Sequence, residues 1–259
     1  MQVQNALKAI GLLVLLLGCK SAPTAQNRGN SKTAPQVQEI QVTPISLEGV
    51  DANAAVSLAR NIYFIFDGSG SMYDPPGSQC GSDNRFRNKL EGAQWAVTEF
   101  LKSIPDDINI GLFVFDNNGM SERVPLGTSN REAFLAAIQN VRAGGGTPLY
   151  EAMRTGTQQL VNQYRNQLGY GEYRLVVVTD GIASNIAEAS VNTLSKGIPI
   201  YAIGLCVESN HPLRQYATSY RSADNFEALQ KGLEETLAEL PSFDPADFEA
   251  IYEESTQKP

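Results

Sequence analysis

The sequence predicts a doubly wound α/β domain, a mainly parallel central sheet flanked by helices. Three observations lead there. Strand and helix signals alternate from residue 60 to about residue 240, as crossovers between parallel strands require. Two of the strand segments, NIYFIFD (61–67) and YRLVVVTD (173–180), are near-continuous runs of branched and aromatic residues, which suits strands covered on both sides. Between the strands, apolar residues recur at three- and four-residue spacings, the mark of helices with one buried face.

Strand 61–67 is followed, after a long loop, by a helix over 89–104. Leu90, Ala93, Val97, Phe100, Leu101 and Ile104 make its apolar face. Trp95 falls outside that face and reads as a partly exposed packing residue. Pro105-Asp106-Asp107 ends the helix, and INIGLFVFD (108–116) is the second strand. A short strand over 122–126 pairs with it as an edge hairpin, and a helix over 131–141 buries Phe134, Leu135 and Ile138. The run Gly144-Gly145-Gly146-Thr147-Pro148 then breaks the chain, and a long helix runs from Pro148 towards Leu168. Proline suits a first helical turn, where its missing donor costs nothing. Strand 173–180, a helix over 186–196, strand 199–206, a helical region over 212–220 and a last helix over 225–240 complete the domain.

The segments outside 60–240 have other characters. Residues 1–18 have the form of an export signal, with Lys8 in a small positive region and an apolar stretch over 9–18 that is too short to span a bilayer. Leu16-Leu17-Gly18-Cys19 resembles the lipobox of bacterial lipoproteins, which implies acylation of Cys19; an ordinary secretory signal or short anchor is the alternative. Residues 19–42 are rich in Ser, Thr, Ala, Gln, Asn and Pro, a composition that cannot offset its ordering entropy. They read as a flexible tether reaching roughly 25 Å. Residues 43–59 lead into the domain, and 241–259 form an acidic tail. The expected location is the cell envelope, held to a membrane by the lipid anchor. Lys20 follows Cys19, in place of the aspartate that retains many lipoproteins at the inner membrane, so an outer membrane is favoured where the host has one. A net charge of −8 argues against nucleic acid or anionic headgroups as partners.

Side chains able to do chemistry gather at strand ends. The first strand runs into Asp67-Gly68-Ser69-Gly70-Ser71-Met72, and open α/β sheets place their sites outside the carboxyl ends of strands. A carboxylate and two hydroxyls, with no basic residue beside them, suit a hard divalent cation. Thr147 in the glycine-rich loop and Asp180 at the end of YRLVVVTD fall at the same edge of the sheet.

Asp67, Ser69 and Ser71 as D-x-S-x-S, Thr147 within GGGTPLYEAM and Asp180 within VVVTDG resemble the von Willebrand factor type A family, whose fold is Rossmann-like. The resemblance spans roughly residues 60–240. It implies a metal-ion-dependent adhesion site filled by magnesium, with manganese or calcium as alternatives. Ser69, Ser71 and Thr147 would be direct ligands, with Asp67 and Asp180 behind them. Neutral hydroxyls quench an ion's charge poorly, so an acidic side chain from a protein partner would complete the shell. Neither turnover nor a small-molecule substrate is expected. The alternative is a structural or assembly subunit of an envelope complex, with the ion purely structural.

One departure from the family is the excursion over 73–84 between the serine motif and the first helix. Long loops beside sites are often functional, and this one is expected to shape partner choice. Tyr73, Asp74 and Tyr150 are candidate partner contacts, and Asp74 with Asp83 a candidate second cation site. Of three cysteines, Cys80 and Cys206 remain after Cys19. In an exported protein a bridge between them is expected, two unpaired thiols being the alternative.

Rival chemistries fit less well. Ser71, Asp180 and His211 follow the chain order of an α/β-hydrolase triad, but the glycines around Ser69 and Ser71 do not have nucleophile-elbow spacing. Asp67 could be a phosphatase nucleophile, yet Ser69 stands where the general acid belongs. Gly144 to Gly146 lack the Gly-Lys-Ser/Thr of a nucleotide loop, and no Cys/His spacing suggests zinc.

Overall fold

The computed structural model describes residues 40–50, 56–77, 85–207 and 211–238. Among these residues six strands form one sheet: β1 Arg60–Asp67, β2 Asn109–Asp116, β3 Gly119–Gly127, β4 Glu172–Thr179, β5 Ile200–Leu205 and β6 Ser219–Ala223. Their order is β3-β2-β1-β4-β5-β6. Every neighbouring pair is parallel except β2 and β3, which are antiparallel. The chain winds outward from β1 on one side, then returns to place β4 on the other. The crevice between β1 and β4 is therefore the switch point where such sheets hold ligands.

Among the described residues, five helices cover the sheet: α1 Lys89–Ser103, α2 Arg131–Gln139, α3 Leu149–Asn166, α4 Ile186–Leu194 and α5 Phe226–Ala238. None is long and apolar enough to cross a membrane, among the described residues. Alternate β1 side chains divide the core. Ile62, Phe64 and Phe66 face the layer containing α1, α2 and α5, whereas Tyr63 and Ile65 face α3 and α4. Phe64 meets Phe100 of α1 and Phe134 of α2 edge-on, at ring separations of 5.7 and 5.2 Å. On the opposite face Tyr63 lies in a slot where added methyl groups at Gly111 and Gly156 would fall 2.7 and 2.9 Å from its ring.

The α1 stripe is buried as its spacing requires, and Asn88 caps the helix by accepting from the Glu91 N–H at 2.9 Å. Trp95 is half-buried against Phe86. One element differs from the sequence reading. The region 212–220 is not helical beyond a single 3-10 turn at Pro212–Gln215, and β6 follows it. Only Ala223 of that strand is buried, so no apolar alternation marks it.

At the amino ends of the strands a short strap crosses the α3/α4 layer. Thr43 donates its N–H to the Ser195 carbonyl beyond α4 at 2.7 Å. Arg165 near the end of α3 donates to the Ser46 carbonyl at 3.1 Å. Beneath it, Asn61 donates to Gln167 and accepts from Asn109, each at 2.7 Å, so this buried polar cluster is internally satisfied. The signal segment with Cys19, the tether up to residue 39 and the acidic tail lie outside the described residues.

Candidate functional site

The loop after β1 is fastened to its neighbours by backbone bonds. Gly68 donates to Phe115 at the end of β2 at 2.8 Å and accepts from Gly144 at 2.9 Å; Gly70 donates to Gly145 at 3.1 Å. A methyl group at Gly68 would lie 2.6 Å from Val141 Cγ1. Only glycine lets the serine motif sit this close to the sheet edge. The glycine-rich loop before α3 is thereby held against the D-x-S-x-S turn.

Asp67 is fully buried. Its Oδ1 accepts from the Ser69 N–H at 2.8 Å, and its Oδ2 from the Thr179 hydroxyl at 2.6 Å. The register of β1 on β4 aligns Phe66 with Val178 and so sets Asp67 beside Thr179. Ser69 Oγ and Ser71 Oγ are 3.2 Å apart, and the Ser71 hydroxyl donates to Asp180 Oδ1 at 2.8 Å. Thr147 completes the group: an added methyl at Gly181 would fall 3.1 Å from Thr147 Oγ1 and 3.7 Å from Asp67 Oδ2. All five residues named from the sequence thus converge at the switch point.

Burial pushes the Asp67 carboxyl up to about 6, with the neighbouring Asp180 charge adding to the rise; the Ser69 and Thr179 hydrogen bonds oppose it. A carboxylate held this way is short of positive charge. The donors are all oxygens, from two carboxylates and three hydroxyls, which suits a hard cation such as magnesium. Among the described residues no three His, Cys, Asp or Glu side chains cluster as a metal cage, so a cation here would depend on the hydroxyls.

One expectation is overturned. A basic residue does stand beside these oxygens: Lys89 Nζ lies 2.8 Å from Asp180 Oδ2. The excursion after Tyr73 brings it there, because Lys89 N–H donates to the Asp74 carbonyl at 3.1 Å and closes the loop at its neck. Thr179 was also missed, although its place directly before Asp180 puts a hydroxyl at the end of a strand adjoining β1.

The remaining named residues are dispersed. Tyr73 ends the 3-10 turn Gly70–Tyr73 and is 71% exposed; Asp74 is exposed beside it. Tyr150 donates to Glu188 of α4 at 3.1 Å and so lines the cleft between α3 and α4. Cys206 is buried just beyond β5, with φ of 54°. Cys80 and Asp83 lie outside the described residues.

His211 is committed elsewhere. Its Nδ1 accepts from the Leu213 N–H at 3.2 Å, leaving Nε2–H to donate to the Gly181 carbonyl at 2.8 Å. Both ring nitrogens are used, and the Ser71 proton points at Asp180, so no Ser71–His211 dyad exists. Burial pushes the His211 pKa down, with the Gly181 bond opposing. The neutral ring's stabilisation is therefore complete above the unfolded value of about 6.5 and is lost as pH falls through the lower folded value. His211→Ala is expected to cost about 1–3 kcal/mol at pH 7.5 through the two orphaned backbone groups. In urea melts its deficit against wild type should shrink by pH 5; a constant deficit would contradict the assignment.

A family profile described as von Willebrand factor type A domain matches residues 61–242. Among curated relatives, the collagen alpha-4(VI) chain of Mus musculus is 26% identical over 162 residues, which is 61% of this chain and 6% of the collagen. A UPF0353 protein of Nocardia farcinica is 29% identical over 136 residues, 47% of this chain and 40% of that protein. The chain thus spans well under half the length of either. Among solved structures, the pilus adhesin SpaC of Lactobacillus rhamnosus GG superposes with a TM-score of 0.54 at 16% identity, covering 70% of this chain and 30% of SpaC. The vWF domain of the type V pili tip protein Mfa5 of Porphyromonas gingivalis gives 0.53 at 10% identity, covering 70% and 95%. At such identities the likeness is one of fold.

Proposed function

Because this chain belongs to the von Willebrand factor type A domain family, we propose that it binds a protein partner through a divalent cation held at the β1/β4 switch point. The hydrogen-bonded row Asp67–Ser69–Ser71–Asp180 carries this reading. Ser69, Ser71 and Thr147 would hold the ion directly, magnesium before manganese or calcium, and Asp67 and Asp180 would supply negative charge behind them. When bound, the ion would offer a coordination position to an acidic side chain of the partner. The chain's own part is to pre-form the oxygen cluster: the two loops are pinned to each other and Asp67 is fixed by Thr179. The names of SpaC and Mfa5, a pilus adhesin and a pilus tip protein, support an adhesive role without turnover.

The same reading places the domain outside the cytoplasm on a lipid anchor at Cys19, with Cys80 bridged to Cys206 and the excursion after Tyr73 contributing to partner choice. Capture of partners from native membranes, with and without chelator, tests it. Chelation and Ser71→Ala are each expected to abolish capture while circular dichroism stays unchanged. Capture that survives both treatments would overturn the proposal.

A further inference from the structure

Lys89 is out of place by the rules of helices. It is the first residue of α1, where the helix dipole favours negative charge and disfavours a cation. Its ammonium instead meets Asp180 Oδ2 at 2.8 Å, and the Asp180 side chain is fully buried while that of Lys89 is 15% exposed. The other Asp180 oxygen takes the Ser71 proton at 2.8 Å. Both Asp180 oxygens are therefore engaged, one by a hydroxyl proposed as a metal ligand and one by a positive charge. The backbone under Lys89 is fixed twice, by its own bond to Asp74 and by the Asn88 cap.

We propose that Lys89 is a built-in monovalent counter-ion of this site, competing with the divalent cation for Asp180 and setting the ion concentration at which the site fills. This rests on the metal-dependent reading above. Two carboxylates, Asp67 and Asp180, stand against a single ammonium, which is paired with Asp180, and the cluster keeps one net negative charge. A dication arriving beside that ammonium meets like-charge repulsion in a poorly solvated place, where such interactions are strong. The ammonium must leave Asp180 or weaken the ion's binding by staying. Its position at the partly exposed edge gives it a path to solvent that a fully buried lysine would lack.

Lys89→Met keeps the apolar stem and deletes the charge; Lys89→Arg keeps the charge. Magnesium binding to the full chain, measured by titration calorimetry and by the shift in melting temperature, is expected to be about tenfold or more tighter in Lys89→Met than in wild type. In chelator Lys89→Met should melt below wild type, because Asp180 is left buried without its cation, and saturating magnesium should close most of that gap. Lys89→Arg should stay within about threefold of wild-type affinity, since a competing cation remains. Equal or weaker magnesium binding by Lys89→Met, with wild type binding normally, overturns this inference and leaves the metal site standing. No magnesium binding by wild type, Lys89→Met or Lys89→Arg overturns both together. Binding by Lys89→Met alone would be the strongest support.

Discussion

Magnesium is expected to raise the melting temperature of the wild-type domain by about 5–10 °C at a hundredfold excess over its dissociation constant, and Asp67→Asn is expected to abolish that response. The magnitude follows from linkage. A ligand at a hundred times its Kd stabilises by about 2.7 kcal/mol, and a domain of this size moves roughly 2–4 °C per kcal/mol. The same substitution should leave the ion-free protein more stable at neutral pH, not less. Asp67 has its carboxyl raised from 3.8 to about 6 by burial, so at pH 7 the folded state holds a charge it disfavours by an order of 3 kcal/mol. For an acid raised on folding, the stabilisation is complete below the unfolded value and declines as pH climbs through about 6. Asp67→Asn removes that decline while its amide still fits between the Ser69 N–H and the Thr179 hydroxyl. Urea melts in chelator should therefore show the variant equal to wild type near pH 4 and ahead by about 1–3 kcal/mol at pH 7. A persisting magnesium response in the variant would remove Asp67 from the site.

The second large effect lies where α5 packs on α1. Phe226, the first residue of α5, is fully buried with its ring against Gly92, where an added methyl group would fall 2.2 Å from Cε1 and 2.3 Å from Cδ1 and Cζ. Its other edge meets Phe86 at 4.9 Å. Phe226→Ala is expected to cost about 3–5 kcal/mol, or roughly 6–20 °C. Gly92→Ala is the sharper test, because two rules disagree in sign. Helix propensity alone promises a gain of about 1 kcal/mol, whereas overpacking of a filled core costs about 1–3 kcal/mol. Contacts this short leave the second in control. In the Phe226→Ala background the ring is gone, and Gly92→Ala should turn neutral or stabilising. A double-mutant cycle reads that coupling directly, and additive single effects would deny the contact.

What the chain revealed in advance, and what it hid, follows from the range of the interactions. The buried strands β1, β2, β4 and β5 were legible because both of their faces are apolar. The helices were legible from their stripes, with ends shifted by up to about two residues, as fraying allows. β6 was not legible. It is a five-residue edge strand, Ser219–Ala223, with a single buried side chain, and edge strands are kept short and polar for good reason. At the site, five oxygen-bearing residues could be named because each lies just past a strand end or in the loop entering a helix, and because together they resemble the family's motif. Lys89 could not, since its contact depends on where a long loop brings the chain back. Its one sequence signal was a lysine in a first helical turn, a place that prefers acids. His211 entered the sequence reading only as the last member of a triad order, yet it holds the Gly181 carbonyl beside Asp180.

The strap and the serine motif stand at opposite ends of a single strand. Between them β1 runs eight residues, roughly 26 Å of extended backbone, hydrogen-bonded along its length to β2 and β4. Tension applied between the amino-terminal segment and anything gripped by Ser69 and Ser71 therefore travels down one covalent thread. Neither helical layer lies in series with it. The route of mechanical force through this domain is short, straight and central.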